Sequence, residues 1–319
     1  MFYYWLSLTC WGVFVVIVGA FTRLVDAGLG CPDWPTCFGY WSLASAQLNA
    51  SQAENFYQVV FDFSKAWPEM YHRYIAGVFA FGIVFVATVF EKKQYYLRFF
   101  LISLVCFQAL LGMWTVTWKL HPIVVMLHLL GGMSLTGLCC WMMLSRSSLM
   151  SHCQPGMRMS MMALGLALCM QILLGGWTSS NYASVVCQNF PSCMPYMSLD
   201  ADWLGAFDFW LPIGTNYEGG HMDFSARVAV HMLHRVFAGL VVLQLIWVTV
   251  SWYQSTGSEL CLIIVAMWVL IVVQISLGIL NVLGGLPLFI AIFHNLGALL
   301  LSLLWVVGSY RYGLFRQNP

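Results

Sequence analysis

The apolar positions along the chain form eight long stretches, and polar loops separate them. A helix needs about 20 apolar residues to cross the hydrocarbon part of a bilayer, and each stretch is close to that length. The stretches cover residues 4–22, 71–90, 98–117, 123–144, 159–178, 228–252, 259–281 and 287–309. This pattern predicts an all-α integral membrane protein with eight transmembrane helices.

The second part of the chain repeats the first. A shift of 156 residues superposes Gly, Thr, Cys and Pro positions, and shifts of 162 and 166 superpose His and Gln positions. The matched pairs are Gly19/Gly175, Thr22/Thr178, Cys31/Cys187, Pro35/Pro191, Cys37/Cys193, His72/His234, Gln108/Gln274 and His128/His294. We therefore expect two similar four-helix bundles, an N-terminal half (residues 1–150) and a C-terminal half (residues 151–319). Four spans in each half give both halves the same orientation, related by a pseudo-twofold axis along the membrane normal.

The loops differ in length and charge. Those at 23–70 and 179–227 are long, whereas those at 91–97, 145–158 and 253–258 are short. Seven of the 13 Lys and Arg residues lie on the short-loop side, and two of the other six, Arg73 and Arg235, lie inside helix patterns. Basic residues favour the cytoplasmic side. We predict a multi-pass protein of the cell inner (plasma) membrane, with both termini cytoplasmic and the long loops outside.

Composition excludes several classes of protein. Hydrophobic residues make up 61% of the chain and charged residues 8%, whereas soluble domains carry about 25% charge. The net charge of +1 and the lack of a Gly-rich phosphate loop argue against a nucleic-acid partner. Membrane lipid is therefore the expected surrounding, and no nucleic acid is expected to bind.

Four of the cysteines stand in the two long loops as equally spaced pairs around a proline, Cys31 with Cys37 and Cys187 with Cys193. Such pairs favour disulfides in an oxidising compartment. The alternative is a zinc site, which usually uses closer spacings and four ligands together. The disulfide interpretation agrees with long loops outside.

Four histidines recur in the repeat at similar depth in the outer half of the membrane: His72 and His128, then His234 and His294. Two histidines on different helices of a bundle can hold one flat metal macrocycle from opposite faces, and heme iron with two imidazoles is the simplest such group. The alternatives are buried structural histidines, members of a proton path, or a single zinc or copper site if the halves meet face to face.

The two histidine pairs differ in one neighbour. Glu69 precedes His72 by three residues, and His231 stands at the corresponding position before His234. Pro68 suggests that a helix begins there, which would place Glu69 in the first turn beside His72. A carboxylate in a partly dry site can act as an acid or base. The N-terminal half therefore has the features of a reactive site, and the C-terminal half those of a resident cofactor site.

Other residues near the histidines have two interpretations each. Arg73 and Arg235 either bind heme propionates or extend to the membrane surface. Four glycines either allow close helix packing or leave room for a macrocycle; they are Gly131, Gly132, Gly284 and Gly285. Three histidines outside the repeat are expected to be structural or solvated; they are His121, His152 and His221.

Three motifs resemble the heme A synthase family. They are GAFTRL at residues 19–24, GLGCPDWPTCFG at residues 28–39, and Glu69 followed by His72 and Arg73. The resemblance covers essentially the whole chain, within the branch that has a cysteine pair in each half. It implies stepwise oxidation of a ring methyl group of heme O to the formyl group of heme A, for cytochrome oxidase assembly.

The resemblance also implies roles for residues. Heme O, the substrate, would lie between His72 and His128 with Glu69 as the catalytic carboxylate, and heme b between His234 and His294. Cys31 and Cys37 would be structural or redox-active. Expected partners are heme O synthase and an unidentified electron acceptor. The alternatives are a di-heme electron carrier between a quinone and an outer partner, or a heme transporter.

Overall fold

The computed structural model describes residues 1–91, 95–147, 155–193, 201–256 and 262–312, and ten α-helices lie within these ranges. Eight of the ten are long and apolar enough to cross a membrane, so the predicted all-α multi-pass fold is confirmed. The helices are α1 Phe2–Leu24, α2 Leu43–Leu48, α3 Ala50–Tyr57, α4 Phe63–Phe90, α5 Tyr95–Thr117, α6 Pro122–Ser145, α7 Pro155–Ser180, α8 Phe224–Thr256, α9 Leu262–Leu283 and α10 Leu288–Arg311.

The long helices pack mainly within two sets of four. The first four long helices pack as α1 on α4 and α6, with α5 between α4 and α6; the last four pack as α7 on α8 and α9 on α10. Contacts of α6 with α7, α1 with α10 and α6 with α10 join the two sets. Trp5, Ile83 and Leu101 are buried in one apolar cluster, and Leu245 and Ile264 in another. Close van der Waals packing of this kind holds helices together in lipid.

Helix α4 begins five residues before the predicted start at Pro68. Asp62 is its N-cap, and the Asp62 carboxylate accepts a hydrogen bond from the Ser64 N–H at 2.8 Å. The pKa of Asp62 lies below its ordinary value because the Ser64 hydroxyl also donates to its carboxylate. A side chain that caps the helix in this way favours a helix start at that residue. Pro68 therefore lies inside α4, and the prediction that Glu69 is in the first turn was wrong.

The four loop cysteines form two disulfides, as predicted. Cys31 is bonded to Cys37 and Cys187 to Cys193, with sulfur–sulfur distances of 2.04 and 2.09 Å. Because each of the four sulfurs is used in a disulfide, none is a thiolate that could bind zinc, and the zinc alternative is wrong. The short helices α2 and α3 lie in the same loop as Cys31, and their buried Ala46 and Ala53 pack in one cluster with this disulfide.

Two of the glycines singled out in the sequence have a different role. Gly284 and Gly285 lie in the turn between α9 and α10, where Gly285 has a φ of +67°. Glycine accepts this left-handed conformation at no steric cost. The expectation that they sit between packed helices was therefore wrong, whereas Gly131 and Gly132 do lie within α6, against the side chain of Gln108.

Candidate active site

The four candidate histidines occupy equivalent places in their helices. His72 is the tenth residue of α4 and His234 the eleventh of α8. His128 and His294 are each the seventh residue of their helices, α6 and α10. Each histidine therefore lies two to three turns into its helix, near the end that carries the disulfide loops.

The rings of His72 and His128 face each other across a short gap. Their centres are 6.4 Å apart, and the ring planes are inclined by 83°. Metal–imidazole bonds of about 2 Å place the centres of two opposed imidazoles roughly 6 Å apart. The spacing therefore fits one metal ion held between the two rings.

The unpartnered ring nitrogens fit the same use. The Nδ1 atoms of His72, His234 and His294 are buried without a hydrogen-bond partner in the described residues, although all three residues are partly accessible. Buried polar atoms are normally bonded. Imidazoles poised in this way fit axial ligands of a heme, whose iron takes one nitrogen of each ring.

A glycine on the preceding long helix lies against each histidine. A Cβ atom added to any of these glycines would lie 2.8 to 3.3 Å from the histidine Cε1 atom. The pairs are Gly19 with His72, Gly112 with His128, Gly175 with His234, and Gly278 with His294. Because glycine has no side chain, each histidine ring can lie directly against the neighbouring helix. Sequence reasoning used Gly19 and Gly175 only as markers of the repeat, although their matched spacing was a usable signal for this contact.

Glutamine side chains donate hydrogen bonds to the backbone carbonyls of three of the four histidines. The Nε2 atom of Gln108 donates to the His128 carbonyl at 2.8 Å and lies 3.1 Å from its Nδ1. Gln274 and Gln171 donate to the carbonyls of His294 and His234, at 2.6 and 3.1 Å. The repeat flagged Gln108 and Gln274, but Gln171 was missed because its counterpart in the N-terminal half is Val15.

Glu69 is a buried carboxylate, 5% exposed, with two bonds that fix its direction. Its Oε2 accepts the backbone N–H of Cys31 at 2.9 Å, and its Oε1 accepts a hydrogen bond from the Arg73 guanidinium. At the corresponding position, the His231 ring lies 2.8 Å from the Ala183 carbonyl through Nδ1. The predicted contrast between the two halves is thus also a contrast in bonding.

Both arginines donate hydrogen bonds to carbonyls inside the loops that the disulfides close. The NH1 group of Arg73 donates to the carbonyls of Asp33 and Thr36, at 2.8 and 2.6 Å. Arg235 does the same in the C-terminal half, at the carbonyls of Asn189, Pro191 and Ser192. Neither guanidinium is therefore a free group reaching for the membrane surface. Contact with heme propionates stays a prediction.

A loop of the C-terminal half covers the turn between α5 and α6. Lys65 pairs with Glu218 at 2.7 Å, and the Tyr217 N–H donates to the Lys119 carbonyl at 3.0 Å. The His121 ring lies 3.2 Å from the Leu211 carbonyl through Nε2, so His121 has the structural role expected of it. His221 is exposed against the Asn216 carbonyl, and His152 lies outside the described residues.

A second group of contacts joins the ends of α1 and α7. Arg23 donates to the Ser179 carbonyl at 2.6 Å, and its guanidinium lies 4.2 Å from the centre of the Tyr182 ring. The Tyr182 hydroxyl donates to Asp26 at 2.9 Å. Burial raises the pKa of Tyr182, so its hydroxyl stays protonated for this bond.

The fold and the site define a multi-pass membrane protein with two pairs of histidines at matching helix positions and two disulfide loops. The chain belongs to the cytochrome oxidase assembly protein family COX15-CtaA, whose sequence profile matches residues 3–306.

Curated relatives agree with the family match. The heme A synthase of Shewanella oneidensis is 38% identical over 311 residues, which are 93% of this chain and 92% of that protein. The heme A synthase of Halalkalibacterium halodurans is 23% identical over 98% of this chain and 96% of its own. That of Lysinibacillus sphaericus is 30% identical over 44% of this chain and 42% of its own. The similarity thus reaches across both histidine pairs.

Proposed function

We propose that the chain is a heme A synthase, an oxidoreductase that converts a ring methyl group of heme O to a formyl group by successive hydroxylation, giving heme A for cytochrome oxidase assembly. Membership of the family and 38% identity to a heme A synthase over 93% of the chain support this activity. The observation that carries it is the buried Glu69 beside His72, with its bond to Cys31.

We assign residues 1–150 and 151–319 to two bundles related by a pseudo-twofold axis along the membrane normal. Under the repeat, the contact of α6 with α7 corresponds to that of α10 with α1. Near a twofold axis, a residue lies close to its counterpart in the other half. Arg23 bonds Ser179 and Tyr182 bonds Asp26, each across 156 positions, the shift that superposes the two loops.

The two histidine pairs receive different hemes in this proposal. His72 and His128 hold heme O, and His234 and His294 hold a resident heme b. Each bound heme supplies a redox-active iron between two imidazoles. The support is the matched histidine positions, the buried unpartnered Nδ1 atoms and the glycine that faces every ring.

Glu69 gives the N-terminal site its reactivity. With water as the oxygen source, each hydroxylation of the methyl carbon would pass two electrons to the electron acceptor and release two protons, and a positioned carboxylate is a suitable proton acceptor. Arg73 and the Cys31 N–H hold the two Glu69 oxygens in place, so the carboxylate meets the substrate in one orientation. His231 replaces this carboxylate in the C-terminal half and is held by Ala183, which suits a site that leaves its heme unchanged.

The same proposal places both termini in the cytoplasm and the disulfide loops outside the inner membrane. The distribution of Lys and Arg residues and the two disulfides support this orientation. Heme O synthase is the expected partner, because it makes a substrate of low solubility, and an electron acceptor must also reach the protein.

The experiment is to express the chain beside a heme O-producing enzyme, purify it, extract the hemes, and identify them by chromatography and mass spectrometry. Heme A or its alcohol precursor is the expected finding. Heme b and unmodified heme O alone, from folded and heme-loaded protein, would instead point to the electron carrier or transporter. In the same assay, His234→Ala should lose heme b and keep heme O, and an unchanged content of heme b would overturn that assignment.

A further inference from the structure

The four histidine residues are not held equally. The backbone carbonyls of His128, His234 and His294 each accept a glutamine amide from the neighbouring helix. Within the described ranges, no side chain donates to the carbonyl of His72. Interhelical hydrogen bonds restrain one helix against another inside a membrane, so His72 lacks one restraint that the other three histidines share.

The reason is a single difference between α1 and α7. Gln171 lies four residues before Gly175, and Gly175 faces His234. The same place before Gly19 holds Val15, a partly buried side chain packed on the apolar cluster around Ile83. Valine has no donor, so α1 has nothing at that position to bond the carbonyl of His72.

Helix α4 is also weaker just before His72. Pro68 has no N–H, so the Ser64 carbonyl loses its helical bond, whereas Val230 in α8 can make the equivalent bond. Helix α1 does hold α4 on both sides of His72: Thr22 donates to the Pro68 carbonyl at 3.2 Å, and Trp11 to the Ile75 carbonyl at 2.9 Å. The difference is therefore local: the His72 carbonyl lacks an interhelical donor, although α1 bonds α4 at the carbonyls of Pro68 and Ile75.

We propose that His72 is the exchangeable ligand of the four: it releases and rebinds heme iron as heme O enters and heme A leaves, while His128, His234 and His294 stay fixed. This inference rests on the proposed function. A substrate heme must be exchanged in every catalytic cycle, whereas a resident heme need not be. Val15 and Pro68 are then positioning residues that keep His72 loosely held.

Two reciprocal changes test the proposal. Val15→Gln supplies the missing donor, and Val15→Met is its matched control, with similar length and no N–H group. Gln171→Met removes the donor from the C-terminal half. Each protein is expressed beside heme O synthase and mixed with excess apomyoglobin. Heme O and its oxidised products are counted together as heme O, the heme of the N-terminal site, and heme b as the heme of the C-terminal site. Chromatography of the transferred hemes then shows which site has released its heme.

Wild-type protein should release heme O at least tenfold faster than heme b. Val15→Gln should slow the release of heme O about threefold relative to Val15→Met, the effect of one interhelical hydrogen bond. Gln171→Met should speed the release of heme b by a similar factor. If Val15→Gln does not insert, unchanged release of heme b from Gln171→Met would overturn the proposal, because the glutamine bond would then not restrain a heme ligand.

Equal release of both hemes from the wild type, or equal heme O release from Val15→Gln and Val15→Met, would overturn the proposal. These rates do not depend on turnover. A protein that binds both hemes but makes no heme A would contradict the proposed function, and its release rates would still decide the role of His72.

Discussion

The Glu69 carboxylate accepts a hydrogen bond from the backbone N–H of Cys31 at 2.9 Å, and it thereby links α4 to the first disulfide ring. Arg73 completes the link, because it bonds Glu69 and also two carbonyls inside that ring. In the C-terminal half, Arg235 binds its ring without a carboxylate. Glu69 and the first disulfide therefore form one structural unit, which the second half does not reproduce.

The first disulfide should matter more for product than the second. Changing Cys31 and Cys37 together to Ser frees the ring that orients Glu69, and we expect product per bound heme to fall roughly tenfold or more, within the range that a positioned acid or base contributes. The matched control changes Cys187 and Cys193 together to Ser and should keep most of the activity. Extracted heme A is the measurement, and equal losses in the two variants would contradict the link.

Arginine at position 73 should be needed for its shape as well as its charge. Arg73 uses one guanidinium nitrogen for the ring carbonyls and another for Glu69. Lysine has a single ammonium nitrogen in place of this planar fork and cannot span both sets of partners in the same geometry. Arg73→Lys should make the Cys31–Cys37 disulfide more accessible to dithiothreitol, with a faster reduction rate followed by thiol alkylation and mass spectrometry. The Cys187–Cys193 disulfide of the same protein is the internal control, and Arg235→Lys should show the reverse preference. Unchanged rates in both variants would mean that the arginines do not hold the rings.

The glycines that face the histidines should not accept a methyl group. Gly19→Ala places a Cβ atom 2.8 Å from Cε1 of His72, closer than such contacts allow, so the ring must shift. We expect heme at the N-terminal site to fall at least severalfold, measured as heme O per protein after purification. Gly77→Ala on α4 is the control, because its added Cβ would meet no atom of another helix within 4 Å in the described part of the chain. It should keep its heme and gain up to about 1 kcal/mol of helix stability; equal heme loss in both would refute the contact.

Much of the fold was predictable because its causes lie within short stretches of sequence. The eight spans follow from apolar runs, and the disulfides from paired loop cysteines. The start of α4 was misplaced because Pro68 is a conspicuous signal, whereas Asp62 acts through a cap that becomes visible only with the backbone in place. The misplacement did not affect the identification of Glu69 as a candidate, because its spacing from His72 does not depend on where α4 begins.

The residues of the candidate site were predictable from the sequence, but the contacts between them were not. The repeat marks the histidines, but the glycine facing each ring lies on another helix, so its role depends on how the helices pack. Arg73 was expected at a propionate or at the membrane surface, and the sequence did not indicate its bonds to carbonyls 37 to 40 positions away in the chain. The counterpart of Gln171 in the repeat is a valine, Val15, so the repeat gave no signal for it.

The most direct measurement is heme A formed per bound heme O in Glu69→Gln, compared with the wild type. Glutamine keeps an oxygen that can accept the Cys31 N–H and removes the charge and the proton acceptor, so both hemes should stay bound while product falls by about 100-fold or more. Glu91→Gln is the control, since Glu91 is also buried and paired with an arginine, Arg146, but lies at the opposite end of α4. Loss of product in Glu69→Gln alone is the predicted result. Normal heme A formation in Glu69→Gln would contradict the assignment of the reaction to this carboxylate.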